Sequence, residues 1–582
     1  MKKKFTSLAA LLISATALFS VGCQGAHTHD FSCKVQEDEY LKSPATCSAV
    51  SSYYYSCKCG KRGEESFTIG SKLSHDYSGE VVSAEYLKKP ATCQEAATYY
   101  KSCTMCGRKS YSTFQTEELG EHDCTKEVVD AKYIKDEATF TTSATYYKSC
   151  ICGLVGTEFF SYGEPLRVYT EEEKVDYKPT SLTVTLYDTE TSTYGFTYNT
   201  AKEPLRPVIQ VAEGGNFADY TEYTASVTRE TSYTLDDTIL TYYIVKAEVQ
   251  LDPSKTYTYR AYDKYVDVGT ELATIETKDL TSTSFTFTHV SDSQCSEAGA
   301  TGTYFNSVLA QVVNSSDFIV HTGDVVETSK YENEWKNMLD SNFEYLSQIP
   351  IMAISGNHET TYKNGANETF KHFHNKMPKQ DTELGYYYSF TYGNAKFIML
   401  NTNKLTGVKL TTDQYEWLIS ELENNTATWT IVALHNPLYS AGKYGSDPSR
   451  NTISVGLREQ LQGIFAEYGV DIVLQGHDHL VSRTHPIDKD GNPVKETWET
   501  IDGVQYSMDP QGVLYIMSGP AGMQTRIPDS NMDSSLYYYA QSSQRCSWAE
   551  FAIDGNQLLV TAKYVSGGKV SEYCKWGVSK SA

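Results

Sequence analysis

Positive charge is in short supply: across 582 residues, 50 Lys and Arg stand against 73 Asp and Glu, a net charge of −23. That balance argues against bulk electrostatic attraction to nucleic acid and has solubility as its plain consequence. Long apolar runs are missing too. The stretch from about Leu8 to Phe19 is too short for a bilayer span of roughly 20 residues, and no later stretch approaches that length, so the mature chain is expected outside the membrane. Between about Tyr169 and Leu280 there is no cysteine, which excludes disulfides and thiolate metal sites there. Tyrosine, by contrast, is abundant at 46 residues and hydroxyl side chains are dense, a composition suited to β-rich, surface-exposed modules. A chain of this length is expected to form about two to four domains.

At the N-terminus Lys2, Lys3 and Lys4 precede the short apolar run, and small residues lead on to Cys23 in FSVGC. This order is that of an export signal, read as residues 1–22 with 23–28 as a tether. Cys23 after Gly22 resembles the lipid-modified cysteine of bacterial lipoproteins, with Ser20 standing where that family prefers Leu. Lipid-anchored attachment to the outside of a bacterial cell membrane is the first expectation. Cleavage after Gly22 with free secretion is the alternative.

Residues 29–163 repeat themselves. HDF, HDY and HDC start at His29, His75 and His122, each followed by YYYSCKCG, TYYKSCTMCG or TYYKSCICG, a period of 46 to 47 residues. His29 and Cys47, His75 and Cys93, and His122 and Phe140 are each 18 residues apart, and the next cysteine follows 10 later. Taken copy by copy, His29, Cys47, Cys57 and Cys59 make a one-histidine, three-thiolate set, and His75, Cys93, Cys103 and Cys106 make another, both suited to tetrahedral zinc. The third copy has Phe140 in place of a cysteine and offers Cys124 beside His122, Cys150 and Cys152. Cys33 is left unassigned. Ten cysteines in an exported segment also suit disulfide pairing, although disulfides would not require a repeated histidine. Either chemistry staples units too small to bury a core, and the expected role is a stalk or an array that binds the cell surface.

From about 169 to 280, short alternating strands such as SLTVTLYD, YGFTYNT and YYIVKAEVQL are separated by turn clusters such as EGGN and LDPSK. They predict an all-β, two-sheet sandwich of fibronectin-like size, with no titratable cluster to make a site. After Ser284 apolar strands alternate with helical stretches at 302–315, 330–347, 411–425 and 454–468, an α/β domain spanning 284–567 with a tail at 568–582. The chemistry lies where its strands stop: SFTFTHVSDSQ at Asp292, DFIVHTGDVVE at Asp324, PIMAISGNHE at Asn357, WTIVALHNP at His435, and VDIVLQGHDH at His477 and His479. Ligand sites of α/β sheets gather beyond the carboxyl ends of strands, so five stretches bring oxygen and nitrogen donors to one place. His289 and His321 lie inside strands and are expected to be structural.

The order Asp-x-x, Gly-Asp, Gly-Asn-His, lone His and Gly-His-x-His resembles the calcineurin-like metallophosphoesterases over roughly 285–565. Within that family GHDHLVSRTHP, GVLYIMSGPAG and the preceding sandwich are similar to purple acid phosphatases, extending the likeness back to about 169. The resemblance implies a multidomain chain: an α/β metallophosphoesterase, itself a β-sandwich flanked by helices, behind a fibronectin-like purple acid phosphatase N-terminal-type domain and small Cys/His-rich repeats. It implies a two-metal centre in which Asp324 bridges, Asp292 and His479 complete one side, and Asn357, His435 and His477 complete the other. His358 then faces the leaving group as proton donor or charge stabiliser, and Glu359 either orients it or is solvated. Two ions about 3.5 to 4 Å apart would hold a hydroxide for in-line attack on phosphorus. Iron, manganese or zinc would suit these donors.

Two departures stand out. Glu327 occupies the place of the tyrosine that colours purple acid phosphatases, so no purple band is expected, and Gln294 occupies the place where relatives show Gly or a ligand His. Gln294 and Glu327 are candidates for an extra metal ligand. No histidine lies between His435 and His477, so phosphate contacts must differ from those of such phosphatases. The implied activity is hydrolysis of small-molecule phosphomonoesters. Phosphodiester or nucleotide hydrolysis by the same centre is the rival within the enzyme class, decided by loops near 438–455 and 483–512. A surface-binding protein with an inactive phosphoesterase domain is the rival of another class.

Overall fold

A computed structural model describes residues 28–581 except 92, 94, 120–121, 235, 297–300, 361–367 and 379–385. The export signal and Cys23 lie outside the described residues. No helix among the described residues is long and apolar enough to cross a membrane. The chain divides into two compact units, Met1–Glu121 and His122–Ala582.

In the first unit, two repeat copies each build a three-stranded antiparallel sheet: Leu41–Ser43, Ser51–Ser56 and Arg62–Ile69, then Leu87–Lys89, Thr98–Ser102 and Lys109–Gln115. A 3-10 turn ahead of each sheet, Asp38–Tyr40 or Ala84–Tyr86, aims one buried tyrosine at the hairpin turn. There Tyr40 Oη donates to the Gly60 carbonyl at 2.7 Å and Tyr86 Oη to that of Gly107 at 2.7 Å. Apolar burial is thin, with Phe67 and Ala97 joining these tyrosines and the inner cysteines.

The second unit opens with the third copy, Ile134–Asp136, Ala144–Ser149 and Val155–Tyr162. This copy is docked rather than free: Ala131 N–H donates to Thr224 Oγ1 at 3.0 Å, Ala138 N–H to Tyr265 Oη at 3.1 Å, and Tyr265 packs on Tyr133, Ala138 and Tyr146. Thr224 and Tyr265 belong to an all-β region of two sheets. One has the order Thr180–Asp188, Thr193–Thr200, Ile239–Gln250, Ser226–Tyr233; the other runs Thr221–Thr224, Pro207–Glu213, Thr256–Asp263, Val268–Gly269, with Ala273–Glu276 also on Thr256–Asp263. Alternating residues such as Val184, Phe196, Val245, Ile209 and Ala261 are fully buried between them, as a two-sheet core requires.

Beyond Ser284 the chain forms two larger sheets. The eight-stranded one runs Ile351–Ala353, Phe318–His321, Ser284–Val290, Ser547–Asp554, Gln557–Ser566, Lys569–Ser579, Val504–Met508, Thr497–Ile501. The seven-stranded one runs Tyr388–Tyr392, Ala395–Met399, Trp429–Leu434, Ile472–Gln475, Leu514–Ser518, Val481–Thr484, Tyr537–Gln541. Aromatic packing joins them: Phe287 stacks on Phe551 of its own sheet at 4.7 Å and meets Phe397 of the other edge-on at 5.1 Å. Helix Thr301–Val312 buries Phe305, Val308 and Leu309 in the core shared with the first sheet, while Thr412–Glu423 and Thr452–Glu467 bury Leu418 and Leu461 with Val432 and Val473 of the second. The stretch expected as one helix over 330–347 is two, Glu332–Ser341 and Phe343–Leu346, because Asn342 turns its side-chain amide back onto the Met338 carbonyl at 2.7 Å.

One expectation is overturned. The tail expected at 568–582 is strand Lys569–Ser579, paired with both Gln557–Ser566 and Val504–Met508 and burying Trp576. The turn into it is Gly567-Gly568, with φ of 57° and 75°, the left-handed pair that a two-residue hairpin takes.

Candidate metal centre

The site lies where the two large sheets meet. Asp292, Asp324 and Asn357 follow Ser284–Val290, Phe318–His321 and Ile351–Ala353 of one sheet; His435 follows Trp429–Leu434 of the other, and His477 and His479 follow its neighbour Ile472–Gln475. Each chain segment turns sharply there. Asp292, Gln294, Asp324, His477 and His479 have φ of 53°, 40°, 55°, 73° and 50°. Left-handed backbone at such residues costs on the order of 1–3 kcal/mol and collects where function demands it. Glycines let the loops touch: a Cβ on Gly323 would come within 2.4 Å of the Gly356 nitrogen, and one on Gly356 within 2.0 Å of Asp324 Oδ1.

The side chains converge. One ligand atom each from Asp324, His435 and His477 lie within 4.8 Å of one another. Asp324 Oδ2 is 3.2 Å from His435 Nε2, which is also 3.0 Å from Asn357 Oδ1. Asp292 Oδ1 is 3.2 Å from His479 Nε2, and both Asp292 oxygens accept the His477 N–H, at 3.1 and 3.0 Å. His435 and His479 turn Nδ1 to the carbonyls of Thr322 at 2.8 Å and Gln524 at 3.1 Å, which leaves Nε2 facing the site.

Electrostatics follow this packing. Burial pushes Asp292 and Asp324 up, but His479 and His435 respectively outweigh it and hold both carboxyls below their usual range. Burial lowers His435, yet Asp324 outweighs it and the imidazole is raised to about 9. Burial and the charge of His435 push His477 down to about 3, the neutral form that ligates a metal.

His358 sits beside this group. Its backbone N–H donates to Asp324 Oδ1 at 2.9 Å, its Nδ1 meets the Glu327 carbonyl at 2.5 Å, and its Nε2 lies 3.8 Å from Asp324 Oδ2. Burial lowers its pKa, but Asp324 and the Glu327 carbonyl outweigh that and raise it. Gln294 meets His358 Nε2 through one end of its amide at 3.0 Å, and the other, buried end has no hydrogen-bond partner. The Glu327 carboxylate is half-exposed and lies 3.9 Å from His358 Nδ1, so of the two candidate extra ligands Gln294 alone carries a buried, unsatisfied group.

Glu359 fits neither role read for it. It is fully buried and accepts the N–H groups of Asp324 at 2.8 Å, Val325 at 2.8 Å, Val326 at 3.2 Å and Gly356 at 2.7 Å. Nothing in the spacing of GDVV and GNHE announced this, since it is made across two loops. Tyr444 was also missed: its ring centroid lies 4.0 Å from that of His477. His289 and His321 are buried supports, His289 between Ser518 Oγ at 2.6 Å and Thr322 Oγ1 at 2.9 Å, and His321 beside Ser293 Oγ at 3.0 Å.

The repeats gather their ligands differently from the copy-by-copy sets. Among the described residues His29 groups with Cys57 and Cys59, while Cys47 groups with His75, Cys103 and Cys106. Cys93 is not part of the His75 group. Strand Ser51–Ser56 stands between Cys47 and Cys57, and its six residues span about 20 Å, so the two thiols sit at opposite ends of one sheet. Strand Thr98–Ser102 separates Cys93 from Cys103 in the same way. In the third copy His122 groups with Cys150 and Cys152, while the Cys124 thiol turns to the Leu154 carbonyl at 3.8 Å. The described cysteines are unbridged.

This constellation of carboxylates, amide and imidazoles offers oxygen and nitrogen donors that could hold metal ions. Residues 285–481 match the family of calcineurin-like phosphoesterases, and the chain carries such a domain. It is similar to purple acid phosphatase 15 of Arabidopsis thaliana, 25% identical over 242 residues that cover 40% of this chain and 37% of that protein. It is also similar to acid phosphatase type 7 of Homo sapiens, 27% identical over 233 residues covering 36% of this chain and 49% of that one. The matched region thus spans half or less of these relatives' length. The purple acid phosphatase of yellow lupin (Lupinus luteus) seeds shares the fold, with a TM-score of 0.57 and 17% identity over 76% of this chain and 80% of that chain. The family implies a dinuclear metal centre. The residues fit one: the donors are hard or borderline oxygens and imidazole nitrogens, and a buried end of the Gln294 amide lacks a partner.

Proposed function

We propose that this chain is an exported, metal-dependent phosphomonoesterase acting on small phosphorylated molecules, fronted by a fibronectin-like domain of the purple acid phosphatase type. The observation that carries the proposal is the meeting of Asp292, Asp324, Asn357, His435, His477 and His479, with His358 beside them, at the ends of five strands from two sheets. Asp324 would serve two ions, Asp292 and His479 one, and Asn357, His435 and His477 the other. Two such ions supply a nucleophile from water at neutral pH and positive charge for the phosphoryl oxygens. Asn357 contributes a neutral oxygen, which keeps the centre positive enough to attract a phosphate. His358 would face the leaving oxygen as proton donor once the Gln294 amide nitrogen leaves its Nε2, and the neighbouring Asp324 charge and Glu327 carbonyl favour the protonated form. Glu359 positions the loops of Asp324 and Asn357 through four backbone N–H groups. With Glu327 in place of the colouring tyrosine, iron-loaded protein is expected to lack a purple band.

The deciding assay strips the full mature chain of metal, reloads it with Mn, Zn or Fe, and offers an aryl phosphomonoester beside an aryl phosphodiester, with Asp324→Asn as control. Metal-dependent monoester turnover lost in the control supports the proposal; diester preference moves the activity to phosphodiesters, and no turnover on either with metal bound overturns it. Export and anchoring rest on Lys2–Lys4, the apolar run and Cys23. Cys23→Ser is expected to shift the protein from the membrane fraction to the medium.

A further inference from the structure

We propose that the repeats are joined by a metal ion whose ligands come from two consecutive copies: Cys47 of the first with His75, Cys103 and Cys106 of the second. The four ligand atoms lie within 4.8 Å of one another, with Cys47 Sγ 3.6 Å from Cys103 Sγ and Cys106 Sγ 3.4 Å from His75 Nδ1. One imidazole and three thiols at that spacing form a tetrahedral set for zinc or a similar thiophilic divalent cation. Cys47 and Cys103 are buried.

The backbone brings the halves together. Cys47 rides on a tight loop in which Thr46 N–H donates to the Ala49 carbonyl at 2.7 Å and Thr46 Oγ1 accepts from Ala49 N–H at 3.0 Å. The connecting segment then runs back past that loop, Leu73 N–H donating to the Thr46 carbonyl at 3.1 Å, and two residues later delivers His75. In the third copy the same strut exists, Leu166 N–H to the Thr139 carbonyl at 2.7 Å. There the cysteine's position holds Phe140, 70% exposed, and the chain runs on into the β-sandwich rather than into another copy. A cysteine that served its own copy would be kept in the third; one that serves the following copy has nothing to serve there. The ion is therefore a joint: it fixes the second copy against the first, and without it residues 70–74 are a hinge.

The test titrates the full chain, stripped of metal, with cobalt(II). The phosphoesterase centre has no cysteine among its ligands, so sulfur-to-cobalt charge-transfer absorption reports the repeats alone. Cys47→Ser is expected to reduce that band and weaken cobalt retention against a chelator by at least about tenfold. The same effect is expected on top of Cys57→Ser/Cys59→Ser, and none on top of Cys103→Ser/Cys106→Ser. The reverse pattern, or a silent Cys47→Ser in both backgrounds, overturns the shared site, as does recovery of the exported chain with Cys47 and Cys103 joined as a disulfide. Tryptic cleavage at the exposed Lys72 gives a second readout: metal is expected to slow it in the parent chain and not in Cys47→Ser. Retention of the cobalt band of His29, Cys57 and Cys59 in Cys47→Ser is expected, and shows that the first copy is folded in that variant.

Discussion

At the residue scale, Glu359 and His358 are neighbours with separable duties. Burial and the Asp324 charge push the Glu359 carboxyl up to about 7, against the opposing pull of the backbone N–H groups it accepts. Its geometry is that of a clamp on the turn carrying Asp324. Glu359→Gln presents an amide N–H to donors that need an acceptor, and metal affinity measured by chelator competition is expected to fall roughly 10- to 100-fold. Under the proposed function His358 serves the leaving group instead. His358→Asn is expected to leave metal affinity near that of the parent and lower kcat by about 10²- to 10⁴-fold. The loss should be greater for alkyl phosphates, whose leaving oxygen needs a proton, than for nitrophenyl phosphate; an equal loss on both would remove the proton-donor role.

At the element scale, the last strand decides whether the phosphoesterase domain holds together. Lys569–Ser579 is an inner strand of the eight-stranded sheet, and Trp576 and Val578 are buried on it. A chain ending at Gly567 is expected to lose cooperative thermal unfolding and accumulate as insoluble protein, since it exposes both newly unpaired strand edges and a Trp-sized void. Gly577→Ala tests the packing more gently: its Cβ would come within 2.2 Å of the Tyr506 ring, so a lower Tm with a retained fold is expected. The cues for this strand were present in Gly567-Gly568 and in the alternating KVSEYCKW; what hid it was its position at the end of the chain. The break at Asn342 was less visible, because only the folded turn shows which carbonyl the amide takes.

At the scale of the whole molecule, the β-sandwich and the phosphoesterase sheets are sewn together by polar groups with little water around them. Asn199 Nδ2 donates to Glu332 Oε1 at 2.7 Å, the Glu332 N–H donates to Ser232 Oγ at 3.1 Å, and Thr183 Oγ1 donates to the His372 carbonyl at 2.6 Å. Burial raises Glu332 to about 8. A carboxyl raised on folding contributes stability that is complete below about pH 4.5 and is lost as pH rises through about 8. Glu332→Gln removes that dependence and keeps an oxygen for Asn199. Its Tm is expected to gain on the parent as pH rises, by an amount equivalent to about 1–3 kcal/mol near pH 8 and little near pH 5. Lys246, lowered to about 7 by burial, adds a slope of the opposite sign to both chains and drops out of the difference.

The sequence by itself determined the order of the candidate site residues, because each follows an apolar strand, and Asp324, Asn357 and His477 stand beside Gly323, Gly356 and Gly476, whose missing Cβ lets loops meet; strand ends and close approaches are local chemistry that a short motif can carry. The repeat was likewise plain from its period. Only the tertiary structure decided how chemically identical partners were shared out: that Cys47 faces His75 rather than His29, that Glu359 turns its carboxylate to the Asp324 loop rather than to His358, and that Tyr444 covers His477. Equal spacing along the chain cannot distinguish a thiol on one end of a strand from one about 20 Å away on the other end, and a side chain that bonds across two loops has no neighbour in sequence to mark it.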